Sequence, residues 1–226
     1  MRRTSMQLAA AVLASSLAVT ACGSIKMGAA ALTTQQRISS ATLTDQVARL
    51  TTAYRADGRK GIKPQRPVAQ VPQQVLTWLL TFQIYNELAA QHGITITPSA
   101  VQSQLSALTA QAQQQKVSVD AYVSAAGAVP PDLLPQIGRY FAILSAFQRR
   151  LDGGRTPTAQ AGQQALQSRI AHAQCLAAKD LQIAVNPQYG EFDYGTYSVV
   201  PAPNRLAAAP TPSPSASPKP RLTPPC

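Results

Sequence analysis

The sequence predicts a mainly α fold: five to six helices, with a small β-sheet formed by the N-terminal hairpin and the C-terminal strand. Three observations lead there. From Leu43 to Ala177, apolar side chains recur three and four positions apart, the spacing of one helix face. Before these helices, small and β-branched residues flank a polar "TTQQ"; after them, Leu181, Ile183 and Val185 alternate with Gln182, Ala184 and Asn186, which is strand spacing. A short strand at each end of a helical region is expected to pair, so that the two chain ends meet in one sheet.

Taken in order, "AAALTTQQRISS" after Gly28 reads as a hairpin with Ile38 on its return strand. Ser39 or Ser40 is a natural N-cap for a helix that places Leu43, Val47, Leu50 and Tyr54 on one face, with Gly58 as its stop. A longer helix is expected from Pro72 to His92. It is apolar nearly all round, through Val75, Leu76, Trp78, Leu79, Leu80, Phe82, Ile84, Tyr85 and Leu88, and so belongs at the centre. Gly93 ends it. Thr97 caps the next helix and Pro98 takes its first position, followed by the stripe Val101, Leu105, Leu108 and Ala112. Ser118 to Ala125 forms a short helix, broken by Gly127 and Pro130-Pro131. From Asp132 the stripe is Ile137, Phe141, Leu144, Phe147 and Leu151; "DGGRTPT" closes that helix and opens the last, carrying Leu166, Ile170, Ala173 and Ala177. "NPQYG" after the final strand is turn chemistry.

The ends of the chain differ in kind from this middle. Arg2 and Arg3 precede an uncharged run of 12 residues, Leu8 to Val19, the order of a secretory signal peptide. Residues 1–21 are therefore expected to be removed, and 22–27 to link an anchor to the domain. Pro201 to Cys226 holds nine of the 18 prolines and no apolar period, so residues 201–226 are expected to be an extended, disordered tail. At about 3.1 Å per residue that tail spans roughly 80 Å. Thr211, Ser213, Ser215 and Ser217, set among prolines, are candidate sugar acceptors. Residues 28–200 remain for one domain, long enough to bury roughly 70% of its unfolded surface.

The chain carries 20 basic and nine acidic side chains, a net charge of +11. Without Arg2 and Arg3 it carries 18 against nine, or +9. The densest cluster, "YRADGRKGIKPQR", holds Arg55, Arg59, Lys60, Lys63 and Arg66. No aromatic residues interleave with it to stack on bases, so nucleic acid is not the expected partner. Anionic lipid headgroups, the cell wall or acidic stretches of client proteins fit an exported protein better. The plainer reading is a solvated loop between two helices.

Val19-Thr20-Ala21-Cys22 resembles the lipobox of bacterial lipoproteins: an aliphatic residue, two small residues and cysteine. The resemblance implies cleavage before Cys22 and a diacylglycerol on its sulfur. It places the protein on the outer face of the cytoplasmic membrane, held by acyl chains that each contribute about 0.8 kcal/mol per buried CH₂. Cys175 and Cys226 remain. Outside the cell they can pair, which would pin the tail to the domain, or stay as two free thiols.

The two ends of the helical region, Ala29 to Leu43 ("AAALTTQQRISSATL") and Asn186 to Gly190 ("NPQYG"), resemble those of the SurA-like and PrsA-like secreted foldases. The N-terminal chaperone domain of that family, which groups with trigger-factor-type chaperones, opens with a strand pair of the type A-x-V-x-G-x-x-I-T-x-x-x-L. Actinobacterial lipoproteins of this type carry N-P-R-Y-G after the final strand. Gln35-Gln36 replace the hairpin glycine here, and Gln188 the arginine. The resemblance covers residues 28–195 and implies a chaperone-like module for unfolded or exported polypeptides. The parvulin isomerase domain that the family often inserts before the last helix needs about a hundred residues. Only residues 152–162 lie in that interval, so no isomerase activity is expected.

Catalytic patterns are missing. There is no CxxC, GxSxG, P-loop or HExxH, and no two carboxylates share an apolar helix face. His92 stands at a helix end, where it complements the dipole; His172 reads as solvated. No enzyme, cofactor or metal is expected. The candidate site is the aromatic stripe Trp78, Phe82 and Tyr85, at i, i+4 and i+7. Such stripes most often pack inward. The functional alternative is a groove for an extended peptide, bordered by Gln102, Gln104, Gln111 and Gln113. The alternative function is a cell-envelope scaffold or adaptor that binds one folded partner through the basic loop or the tail.

Overall fold

Both ends of the helical region do meet in one sheet. A computed structural model describes residues 28–154, 158–202 and 226. The leader, Cys22, the linker up to residue 27 and tail positions 203–225 lie outside the described residues. Strand β1 (Ala29–Leu32) pairs antiparallel with β2 (Arg37–Ser39) on one side and with β3 (Ala184–Val185) on the other, in the order β2-β1-β3. Asn186 extends the third strand: its N–H donates to the Ala30 carbonyl at 2.9 Å and its side-chain amide to the Ala29 carbonyl at 3.0 Å.

Six helices lie between these strands. In α1 (Ser40–Gly58) the Ser39 hydroxyl accepts from the Thr42 N–H at 2.9 Å, satisfying one orphan donor of the first turn. Thr97 and Ser118 cap α3 (Pro98–Gln114) and α4 (Val119–Gly127) in the same way. Helix α2 (Val71–Gln91) touches α1, α5 (Leu134–Asp152) and α6 (Gln160–Asp180), and is the axis of the molecule. It serves two core clusters. Val75, Leu76, Leu80, Ile84 and Leu88 are fully buried with Leu50, Ile143 and Phe147 in the larger. Each such side chain contributes about 1.5–3 kcal/mol of burial. Phe82 joins Val123, Val129, Leu133 and Ile137 in the smaller, between α2, α4 and α5. Helices α3 and α5 approach closely because position 138 is glycine. A Cβ there would stand 2.8 Å from the Leu105 side chain.

The observed boundaries lie one residue earlier for α2 at each end, and α4 runs from Val119 to Gly127 rather than from Ser118 to Ala125. The strand read across Leu181, Ile183 and Val185 is shorter than its alternation. Leu181 caps α6 and Gln182 turns with φ +47°, so pairing is confined to Ala184–Val185. Beyond the turn at Asn186 the chain forms a hairpin that the sequence reading did not include, β4 (Glu191–Asp193) and β5 (Ser198–Val200). Its turn is tied by the Asp193 carboxylate, which accepts from the Gly195 N–H at 2.8 Å and the Thr196 hydroxyl at 2.9 Å. The Val199 N–H donates to the Thr77 hydroxyl at 2.8 Å, which seats the hairpin on α2.

Candidate functional site

Seating that hairpin on α2 leaves an open cleft of about 710 Å³ beside it. Helix α2 supplies Trp78 and Tyr85, α5 supplies Tyr140, and the hairpin turn supplies Tyr197. Tyr140 is the hinge of this aromatic wall. Its ring stands edge-on to Trp78, with centroids 5.9 Å apart at 83°, and to Tyr85, at 4.5 Å and 74°. Edge-to-face pairs of this kind favour a fixed geometry over sliding rings. Burial pushes the phenols of Tyr85 and Tyr140 above their ordinary range, and Tyr85 furthest, with the phenol of Tyr140 beside it. The wall is therefore uncharged at neutral pH.

The polar groups around it divide into used and free. The Trp78 indole N–H donates to the Gly127 carbonyl at 2.8 Å. Thr77 accepts from Val199, and Thr81 donates back to the Thr77 carbonyl at 2.8 Å. The side-chain amides of Gln74 and Gln174 line the cleft without a hydrogen bond to any described residue, and Arg66 lines it with them. Across the indole from this cleft is a smaller apolar groove of about 220 Å³, bounded by Leu108, Tyr122, Val123 and Phe141. Trp78, Ala126 and Gly127 line both.

The three residues singled out in the sequence are thus separated. Trp78, half-buried, and Tyr85, 5% exposed, face the cleft. Phe82, 6% exposed, packs into the smaller core cluster and does not line it. The glutamines expected around a groove lie on α3, where only Gln111 reaches either cavity, at the apolar one. The amides that border the main cleft are Gln74 and Gln174. Tyr140, Gln174 and Tyr197 are not among the residues the sequence singles out; the local signal for Tyr140 is its place three positions after Ile137, whereas nothing local marks Gln174 or Tyr197 as its neighbours.

The two histidines and the Ser124–Asp57 pair lie outside the cleft. His92 stacks on Phe147 with ring centroids 4.7 Å apart, its carbonyl accepting from Arg150 at 2.8 Å. His172 is exposed. The Ser124 hydroxyl donates to the buried Asp57 carboxylate at 2.7 Å, but Ser124 is fully buried and no histidine joins them. Among the described residues no group of three His, Cys, Asp or Glu side chains is placed to hold a metal ion. No helix there is long and apolar enough to cross a membrane. Cys175, buried on α6 next to Gln174, is disulfide-bonded to Cys226, with Cα atoms 6.0 Å apart.

Set against known protein families, curated proteins and solved structures, this chain matches none of them.

Proposed function

We propose that this protein is a lipid-anchored, extracytoplasmic chaperone-like module that holds unfolded or extended stretches of exported polypeptides in the cleft around Trp78. The observation that carries this reading is the make-up of the cleft. A fixed aromatic wall offers apolar contact, and the free amides of Gln74 and Gln174 offer hydrogen bonds to a backbone of any sequence. Its described lining carries hydroxyls of Thr77, Thr81, Thr196 and Ser198 but no His, Cys, Asp, Glu or Lys side chain. The resemblance of the chain ends to SurA-like domains and the lipobox at Cys22 support the same reading. The interval before α6 leaves no room for an isomerase domain, so holding rather than proline isomerisation is the activity proposed.

Trp78 is the single tryptophan of the chain and lines the cleft, so it reports on occupancy. Titration with a chemically denatured client should shift its emission. A stoichiometric excess of the protein should slow aggregation of that client, and Tyr140→Ala should weaken both effects. If neither the emission nor the aggregation rate changes, the reading falls.

A further inference from the structure

The last turn of α1 and the segment that joins it to α2 carry a run of exposed cations, the last of which lines the cleft. Arg55, Arg59, Lys60, Lys63 and Arg66 are all exposed. The one carboxylate among them, Asp57, is turned inward. It is 6% exposed and accepts from the Ser124 hydroxyl, so it cannot serve as their counter-ion at the surface. None of the five cations takes part in an ion pair with a described residue. Arg66, the last of the five, is itself a residue of the cleft wall.

We propose that the cleft selects acidic polypeptide segments, with the aromatic wall taking the extended chain and Arg66 and its loop pairing with Asp or Glu carboxylates. This deepens the polypeptide-binding reading and rests on it. Two observations favour a peptide over an anionic lipid surface. Arg66 borders a concave cleft, which a chain can enter and a flat bilayer cannot. The loop also stands at the far end of α1 from Gly28, whose carbonyl accepts from the Ser40 N–H at the helix start. A 19-residue helix at about 1.5 Å per residue puts roughly 28 Å between that loop and the point where the chain leaves for Cys22.

The test uses the protein with residues 22–226 and three labelled peptides of one extended sequence, differing only in having Glu, Gln or Lys at alternate positions. Binding is read by anisotropy and by Trp78 emission. The Glu peptide should bind tightest and the Lys peptide weakest, and added salt should remove the difference. Arg66→Gln should weaken the Glu peptide about threefold to tenfold and shrink its advantage over the Gln peptide. Lys60→Gln with Lys63→Gln should act in the same direction. Equal affinity for the Glu and Gln peptides overturns the charge selection and leaves the polypeptide-binding reading standing. No binding of any peptide, with no effect on client aggregation, overturns both. Vesicles of phosphatidylglycerol form the last arm. Binding to them that is lost in the loop variants, with no preference among peptides, reassigns the loop to lipid and overturns the proposal.

Discussion

The indole nitrogen of Trp78 donates to the carbonyl of Gly127 at 2.8 Å, a bond between residues 49 positions apart. It holds the end of α4 against α2 and makes the indole a partition between the cleft and the apolar groove. Trp78→Phe keeps an aromatic ring but removes the donor. We expect a loss of about 1 kcal/mol in urea unfolding. Trp78→Ala should cost about 2–3 kcal/mol, less than a fully buried tryptophan, and should join the two cavities. Equal stability of the Phe variant and the wild type would show that the bond contributes nothing.

The buried pair of Ser124 and Asp57 is a second long-range tie. The backbone carbonyl of Asp57 also accepts from the Lys60 and Ile62 N–H groups, at 2.9 and 3.0 Å, so the pair fixes the start of the basic loop. Ser124→Ala removes a donor from a buried carboxylate and should cost about 1.5–3 kcal/mol. Amide exchange should speed up in residues 59–62 before it does in α2. Unchanged exchange in that loop would separate the pair from loop order.

Gly190 has φ +132°, and a Cβ on it would stand 2.1 Å from the Val200 carbonyl oxygen. Gly190→Ala should therefore prise β4 from β5, at a cost of about 3 kcal/mol or more. It should also disturb the hairpin turn that supplies Tyr197 to the cleft. Gly58→Ala is the control. Nothing lies within 4 Å of its Cβ position, and it should stabilise α1 by less than about 1 kcal/mol. Denaturation midpoints of the two variants should move in opposite directions.

Burial raises the phenols of Tyr54, Tyr85, Tyr140, Tyr194 and Tyr197 above their ordinary value of 10.0. In the unfolded chain these groups lose protons near pH 10, while in the folded protein they keep them. The unfolded state then binds fewer protons, so stability falls as pH rises above about 10 and is unaffected by these groups below it. The urea midpoint should hold up to about pH 9.5 and drop beyond it, with phenolate absorbance rising together with unfolding. Full phenolate titration of the still-folded protein at pH 10 would contradict this.

The bond from Cys175 to Cys226 spans 51 positions. The unreduced protein should be two hydrogen atoms lighter than the reduced form, and a tryptic map should recover the two cysteines in joined peptides. Reduction should lower stability by at most about 4 kcal/mol, the chain-entropy value for a loop of this length. A mass equal to that of the reduced form would refute the bond.

Much of this architecture was legible in the sequence, because its signals are local. The caps at Ser39 and Thr97 act within three residues, and a helix face repeats every three to four. Small and β-branched residues around the polar stretch Thr33 to Gln36, and alternation around Val185, likewise made a sheet between the chain ends a reasonable expectation. The hairpin of β4 and β5 was less legible. Its strands are three residues each, and its turn depends on hydrogen bonds to the Asp193 side chain rather than on an Asn-Gly or Asp-Gly pair.

The division of the aromatic stripe needed the tertiary structure. Spacing puts Trp78, Phe82 and Tyr85 within one arc of α2, and a single helix holds no record of what stands opposite each. Helices α4 and α5 close over Phe82 with Val123, Val129 and Ile137, whereas Trp78 and Tyr85 meet Tyr140 and an opening. Gln174 and Tyr197 reach the same opening from α6 and the last hairpin, about a hundred positions away in sequence. Which faces are apolar is written in the order of residues, since helical periodicity is a property of neighbouring positions. Which part of an apolar face is covered and which is left open depends on partners brought in by chain folding, and that only the packing decided.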